Sequence, residues 1–260
     1  MDERPIGVLD SGVGGVFVLR QAVRLLPQEK FLFYGDLGHA PYGSHTREEI
    51  CHIAMSAAGH LASQGIKALL VACNTATSAA VEQMRSTFDF PVIGVEPALK
   101  PAAEAHHAGK IAVMATPATL ALPKFARLME TCGVAEDLIP IPCPNLSLMV
   151  ESCGPGSPEI RAYLAARFAE AGETPESVVL GCTHYSYLAK DLQALLGPAV
   201  RLYDGAFGAA RQLARVLAQH GLLAEGEGSV KYETSGKPED LAMMERFFAM
   251  AGDAHETQVD

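Results

Sequence analysis

The strongest constraint on this chain is an apolar run that stops on a thiol and is followed at once by a helix start. Residues 68–72 are wholly apolar, and Cys73-Asn74-Thr75-Ala76-Thr77 follows. A short, continuous apolar run leading into a helix reads as a buried strand of a parallel sheet, and ligands bind open α/β folds beyond the carboxyl ends of such strands. The pattern occurs again at Val178-Val179-Leu180-Gly181-Cys182-Thr183-His184-Tyr185. Each thiol would therefore stand at the floor of a crevice, with helix amides and polar side chains beside it.

Around these two stretches the chain alternates strand and helix patterns throughout. Pro5–Leu9 reads as a first strand ending at Asp10-Ser11-Gly12-Val13-Gly14-Gly15, a tight turn that opens a helix. The turn lacks the G-x-G-x-x-G spacing, because Phe17 stands at the third glycine position, and no Walker lysine follows. Residues 31–35 read as a second strand, followed by Asp36 and the loop Gly38–Gly43. Thr46-Arg47-Glu48-Glu49 has the pattern of a capping box. At Lys110–Thr116 the pattern restarts: the strand is expected to end at Thr116-Pro117-Ala118-Thr119, with a helix following through Met129. A loop is expected over residues 142–158, carrying Glu151, and an edge strand at Ser229–Thr234. The segment Ile111–Ala115 echoes Ile6–Asp10, and the Cys182 turn echoes the Cys73 turn. The expected fold class is α/β: two pseudo-symmetric domains, each a mainly parallel sheet flanked by helices, with the active site in the cleft between them. The expected division is residues 1–97 with 208–260 on the Cys73 side, and 98–207 on the Cys182 side. The polar tail from Gly252 reads as frayed.

Composition narrows the function. The formal charge is −10, from 20 basic and 30 acidic residues, and there is no basic stripe for nucleic acid. No apolar run approaches the ~18 residues of a membrane span. None of the six cysteines forms a C-x-x-C pair, so a cytoplasmic protein with reduced thiols is expected. Cys51, Cys132, Cys143 and Cys153 read as small core hydrophobes. Cys73 and Cys182 differ, because each ends a strand among Asn, Thr or His, a setting expected to lower a thiol pKa. His106, His107 and His220 lie near helix ends and read as surface residues.

Three chemistries use such thiols. A cysteine nucleophile with His184 as base leaves the second thiol idle. A metal held by Cys73, Cys182 and His184 would need an unusual spacing. Proton transfer at a carbon from two opposite faces uses both thiols, one as base and one as acid, with roles exchanged in reverse. A free thiol titrates at about 8.5, near enough to neutrality for either role. The paired pattern fits this third chemistry best.

Asp10–Gly15, Pro41-Tyr42-Gly43, Ala72–Thr77, Gly181–Tyr185 and Tyr232–Gly236, in this order, resemble the bacterial glutamate racemases of the aspartate/glutamate racemase superfamily. The resemblance implies cofactor-independent interconversion of L- and D-glutamate, supplying D-glutamate for peptidoglycan, without a metal. It implies that Cys73 acts on D-glutamate with help from Asp10, and Cys182 on L-glutamate with help from His184. Asp36 and Glu151 match further carboxylates near the site. Substrate would be held by Asp10, Ser11, Tyr42, Gly43, Asn74, Thr75, Thr183 and His184, with Thr116 and Thr119 as a further hydroxyl-bearing turn. A homodimer is implied as well. Two positions depart from the family pattern: Ser186 stands where Pro or a bulky apolar residue is usual, and Gly205 where Ser is usual.

Overall fold

The computed structural model describes residues 2–253, and the polar tail beyond Asp253 lies outside them. The chain first forms β1 (Ile6–Asp10), α1 (Val16–Leu25), β2 (Lys30–Gly35), α2 (Arg47–Ser63), β3 (Ala68–Val71), α3 (Asn74–Thr87), β4 (Val92–Gly94) and α4 (Leu99–Glu104). It then forms β5 (Ile111–Ala115), α5 (Pro117–Ala121), α6 (Pro123–Cys132), β6 (Leu138–Pro142), α7 (Leu146–Cys153), α8 (Pro158–Ala171), β7 (Ser177–Leu180), α9 (Ala189–Leu196) and β8 (Arg201–Asp204). Last come α10 (Ala206–Gln219), β9 (Ser229–Thr234) and α11 (Glu239–Asp253).

Among the described residues the strands form two sheets, β4-β3-β1-β2-β9 and β6-β5-β7-β8, and every pairing is parallel. β1, β3, β5 and β7 are buried along their whole length, as continuous apolar strands in a doubly covered parallel sheet must be. The echo in the sequence is an echo in topology. β1 lies between β3 and β2, and β5 lies between β7 and β6. The strands that lead to the thiols, β3 and β7, therefore occupy equivalent places, each paired with the first strand of its sheet, β1 or β5. β9 returns to the edge of the first sheet, so the C-terminal segment closes the sheet that the N-terminus began.

Local chemistry explains most of the boundaries. Thr46 caps α2 with a complete capping box: its hydroxyl accepts from the Glu49 amide, and the Glu49 carboxylate accepts from the Thr46 amide. Ser157 caps α8 and Pro158 occupies its first turn. The single helix expected after Thr116 is two. Leu122 is extended at φ −79°, ψ 139°, because the ring of Pro123 excludes the helical conformation from the residue before it.

Other expectations are corrected by burial and packing. Residues 142–158 are not one loop, since α7 lies inside them and carries Glu151 on a helix. Leu146 and Val150, four apart and both buried, anchor that helix. His106 is not a surface residue: its ring is mostly buried between Asp137 and Glu176, at 3.2 and 3.3 Å. Of the four thiols read as core, only Cys143 is buried; Cys51 and Cys132 are half-buried and Cys153 is exposed. Gly205 has a packing reason, because a side chain there would run into the Glu96 carbonyl.

Candidate active site

Both thiols stand at strand ends. Cys73 follows β3 and is the N-cap residue of α3, its sulfur accepting from the Ala76 amide at 3.5 Å. Cys182 follows β7 and precedes a 3₁₀ segment, Thr183–Leu188. One pocket is lined by both, with Ser11, Tyr42 and Gly43 on one side and Glu151, Thr183 and His184 on the other. Asn74 and Thr75, at the start of α3, also reach it. Eleven of the fourteen residues singled out from sequence, Thr116 among them, thus line one pocket; Thr119 is hydrogen-bonded to Thr75 and Thr116 of that lining, and two carboxylates stand directly behind it.

Those two are Asp10 and Asp36. Asp10, at the end of β1, is buried and accepts from the Gly15 amide at 2.6 Å, so the glycine-rich turn folds back over its own strand end. Burial raises the Asp10 pKa above the ordinary carboxylate value, outweighing the His184 charge and the Gly15 amide, which pull it down. Asp36, after β2, accepts from the Tyr42 hydroxyl at 2.6 Å and touches the His39 ring at 2.9 Å.

The two thiols have different surroundings. Cys73 is held 3.5 Å from the Ser11 hydroxyl, and its pKa is pushed up to about 12, first by burial and then by the Asp10 carboxylate. This overturns the expected lowering: the helix amide contributes in that direction, but a thiol only 5% exposed beside a carboxylate is held protonated. Cys182 lies 3.8 Å from His184 Nδ1, and His184 Nε2 lies 2.7 Å from Glu151 Oε1. Burial works against charge on His184, but its hydrogen bonds to Cys182 and Glu151 and the Glu151 charge raise its pKa well above the usual value. Burial likewise opposes ionisation of Glu151, yet its contact with His184 brings its pKa below the ordinary value. An imidazolium–carboxylate pair therefore backs one thiol, and a protonated, carboxylate-flanked environment surrounds the other.

The glycine-rich turn is needed for the approach of the two sheets. A side-chain carbon at Gly14 would stand 2.5 Å from Thr183 Oγ1, and one at Gly12 2.8 Å from Glu151 Oε1. The turn after β1 thus packs directly on the Cys182 loop and on α7. A hydroxyl cluster makes a second bridge, with Thr75 3.0 Å from Thr119 and 3.3 Å from Thr116, the N-cap of α5. Pocket residues that the sequence reading did not single out include Ser147 and Leu148 of α7. Their only sequence signal was the Leu146/Val150 spacing, obscured by the surrounding Pro, Cys and Gly. Among the described residues no three His, Cys, Asp or Glu side chains form a group able to hold a metal ion.

With this geometry in view, comparison with known proteins is decisive. A model of the Asp/Glu/Hydantoin racemase family matches residues 17–213. The chain belongs to that family. It is 44% identical over 244 residues to a glutamate racemase of Clostridium botulinum, an alignment covering 93% of this chain and 95% of the relative. Among solved structures, a glutamate racemase from Thermus thermophilus in complex with beta-chloro-D-alanine is 36% identical, with a TM-score of 0.78 over 95% of this chain and 94% of that one. The glutamate racemase of Francisella tularensis in complex with D-glutamate has a TM-score of 0.84 at 25% identity, over 99% of this chain and 96% of that one. The two-sheet α/β architecture of this racemase-family chain is the architecture of those enzymes.

Proposed function

We propose that this protein is a cofactor-independent glutamate racemase, working by proton transfer between two thiols. The observation that carries the reading is that Cys73 and Cys182, from equivalent strand ends of different sheets, line one pocket. Inverting an α-carbon requires a base on one face and an acid on the other, and two separately mounted thiols supply both.

The surroundings of the thiols set the starting roles. Cys182, beside the charged His184, accepts the α-proton of L-glutamate as the Cα–H bond breaks. Cys73, held protonated by burial and Asp10, delivers its own proton to the opposite face. The product is D-glutamate, and the roles are then reversed: Cys73 is left as thiolate and Cys182 as thiol. The reverse reaction starts from that state. No electron leaves the system and no atom is gained or lost apart from exchange of the α-hydrogen.

The barrier is the weak acidity of the α-carbon. Asn74 Oδ1 is buried without a protein partner, and Thr75 and Thr183 line the same pocket. These groups suit the two carboxylates and the ammonium of glutamate. We propose further that residues 1–97 with 208–260, and residues 98–207, act as two bodies around the substrate. The enzyme is read as a cytoplasmic homodimer that supplies D-glutamate for peptidoglycan. The test is incubation with L-glutamate in deuterated water without added cofactor, followed by chiral and mass analysis. The reading expects D-glutamate carrying deuterium at the α-carbon; absence of inversion, or inversion with the original hydrogen retained, overturns it.

A further inference from the structure

The Tyr232–Gly236 stretch forms the end of β9 and the turn into α11, remote in sequence from both thiols. Its Ser235 is exposed, yet it touches a buried group of the site. The Ser235 hydroxyl donates to Asp36 Oδ1 and accepts from the Gly38 amide at 2.9 Å. The turn is placed for this by the register of the sheet: Thr234 pairs with Gly35, and the Ser235 amide donates to the Gly35 carbonyl at 3.3 Å. Gly38 approaches so closely that a side-chain carbon there would stand 2.9 Å from the Ser235 carbonyl oxygen.

Asp36 does not line the pocket; Tyr42 does, with Pro41 and Gly43 beside it. The buried Asp36 carboxylate accepts from Tyr42 through Oδ2, and its Oδ1 is shared by Ser235 and the exposed His39 ring. Remove the Ser235 hydroxyl, and Oδ1 keeps only a partner on an exposed loop, while the Gly38 amide loses its acceptor. The carboxylate then keeps only His39 and Tyr42 and loses its tie to the turn after β9, and the Tyr42 hydroxyl bonded to it loses that anchor.

We infer that Ser235 is a positioning residue, acting through Asp36 on Tyr42 to hold the Pro41–Gly43 wall of the pocket. The inference rests on the racemase reading for its kinetic consequence, but not for its structural one. It separates from the chemistry, since neither thiol nor His184 touches this chain of hydrogen bonds.

The structural arm measures amide hydrogen exchange at Ser44 and His45, whose amides donate to the Pro41 and Tyr42 carbonyls. Exchange there is expected to accelerate about fivefold in Ser235→Ala and to return to the wild-type rate in Ser235→Thr, which keeps the hydroxyl on an exposed residue. The kinetic arm expects Ser235→Ala to raise the KM for glutamate about fivefold with kcat within about twofold, and Ser235→Thr to restore it. Adding Ser235→Ala to Tyr42→Phe should cost nothing more. Unchanged exchange in Ser235→Ala overturns the inference whether or not glutamate is turned over. So does an unchanged KM, or full additivity with Tyr42→Phe, in an enzyme that racemises. Failure of the wild-type protein to racemise, with the exchange result intact, counts against the racemase reading alone.

Discussion

Glu151 on α7 lies 2.7 Å from the ring of His184 and 3.4 Å from the Val13 amide of the glycine-rich turn, so a single carboxylate ties the Cys182 loop to the end of β1. It is placed to polarise the imidazole behind Cys182 and to hold the two sheets in register at the pocket.

That pair gives a pH signature for stability. His184 is raised in the fold, so its contribution is complete below its unfolded value of about 6.5 and is lost as pH rises through the higher folded value. Glu151 is lowered, so its contribution is complete above its unfolded value of about 4.5 and is lost as pH falls through the lower folded value. The stability difference between wild type and His184→Gln, from urea unfolding across pH, should therefore be greatest between about 4.5 and 6.5. It should decline on both sides. A difference that keeps growing above neutrality would contradict the assignment of charge to His184.

Gly14→Ala probes the contact between the sheets. The added carbon would meet Thr183 and His184, and His184 is fixed by Glu151 and cannot step aside cheaply. On the racemase reading, displacing His184 by about 1 Å should lower kcat/KM about a hundredfold. Stability should fall by only about 1–3 kcal/mol. Steady-state kinetics and urea unfolding on the same variant check both.

Far from the pocket, Lys67 is fully buried against Glu29 at 2.6 Å, with its ammonium also donating to the Asp2 and Leu222 carbonyls. Glu29 in turn accepts from the Ala224 amide. Lys67→Met leaves a buried carboxylate without its cation and should cost about 3–5 kcal/mol. The double variant Lys67→Met/Glu29→Gln should cost less than the single one, as read from urea midpoints.

The sequence was most informative where local pattern and tertiary role coincide. β3 and β7 could be read because a buried strand needs an apolar run, and the thiols mark where each run stops. The Thr46–Glu49 cap and the β9 edge strand followed from short-range rules. Three things were hidden, each for a physical reason. α7 lies among residues whose propensities favour loops, and only its packing through Leu146 and Val150 makes it a helix. The acidity of Cys73 depends on burial and on Asp10, neither visible in the local sequence, so helix amides alone pointed the wrong way. Ser235 reaches Asp36 across almost the whole chain, through the register of β9 on β2.

The most direct measurement is racemisation by Cys73→Ala and Cys182→Ala, each assayed in both directions by chiral separation of glutamate. If each thiol serves one face of the α-carbon, both variants should lose interconversion in both directions while remaining folded. Full activity in either variant would contradict the account.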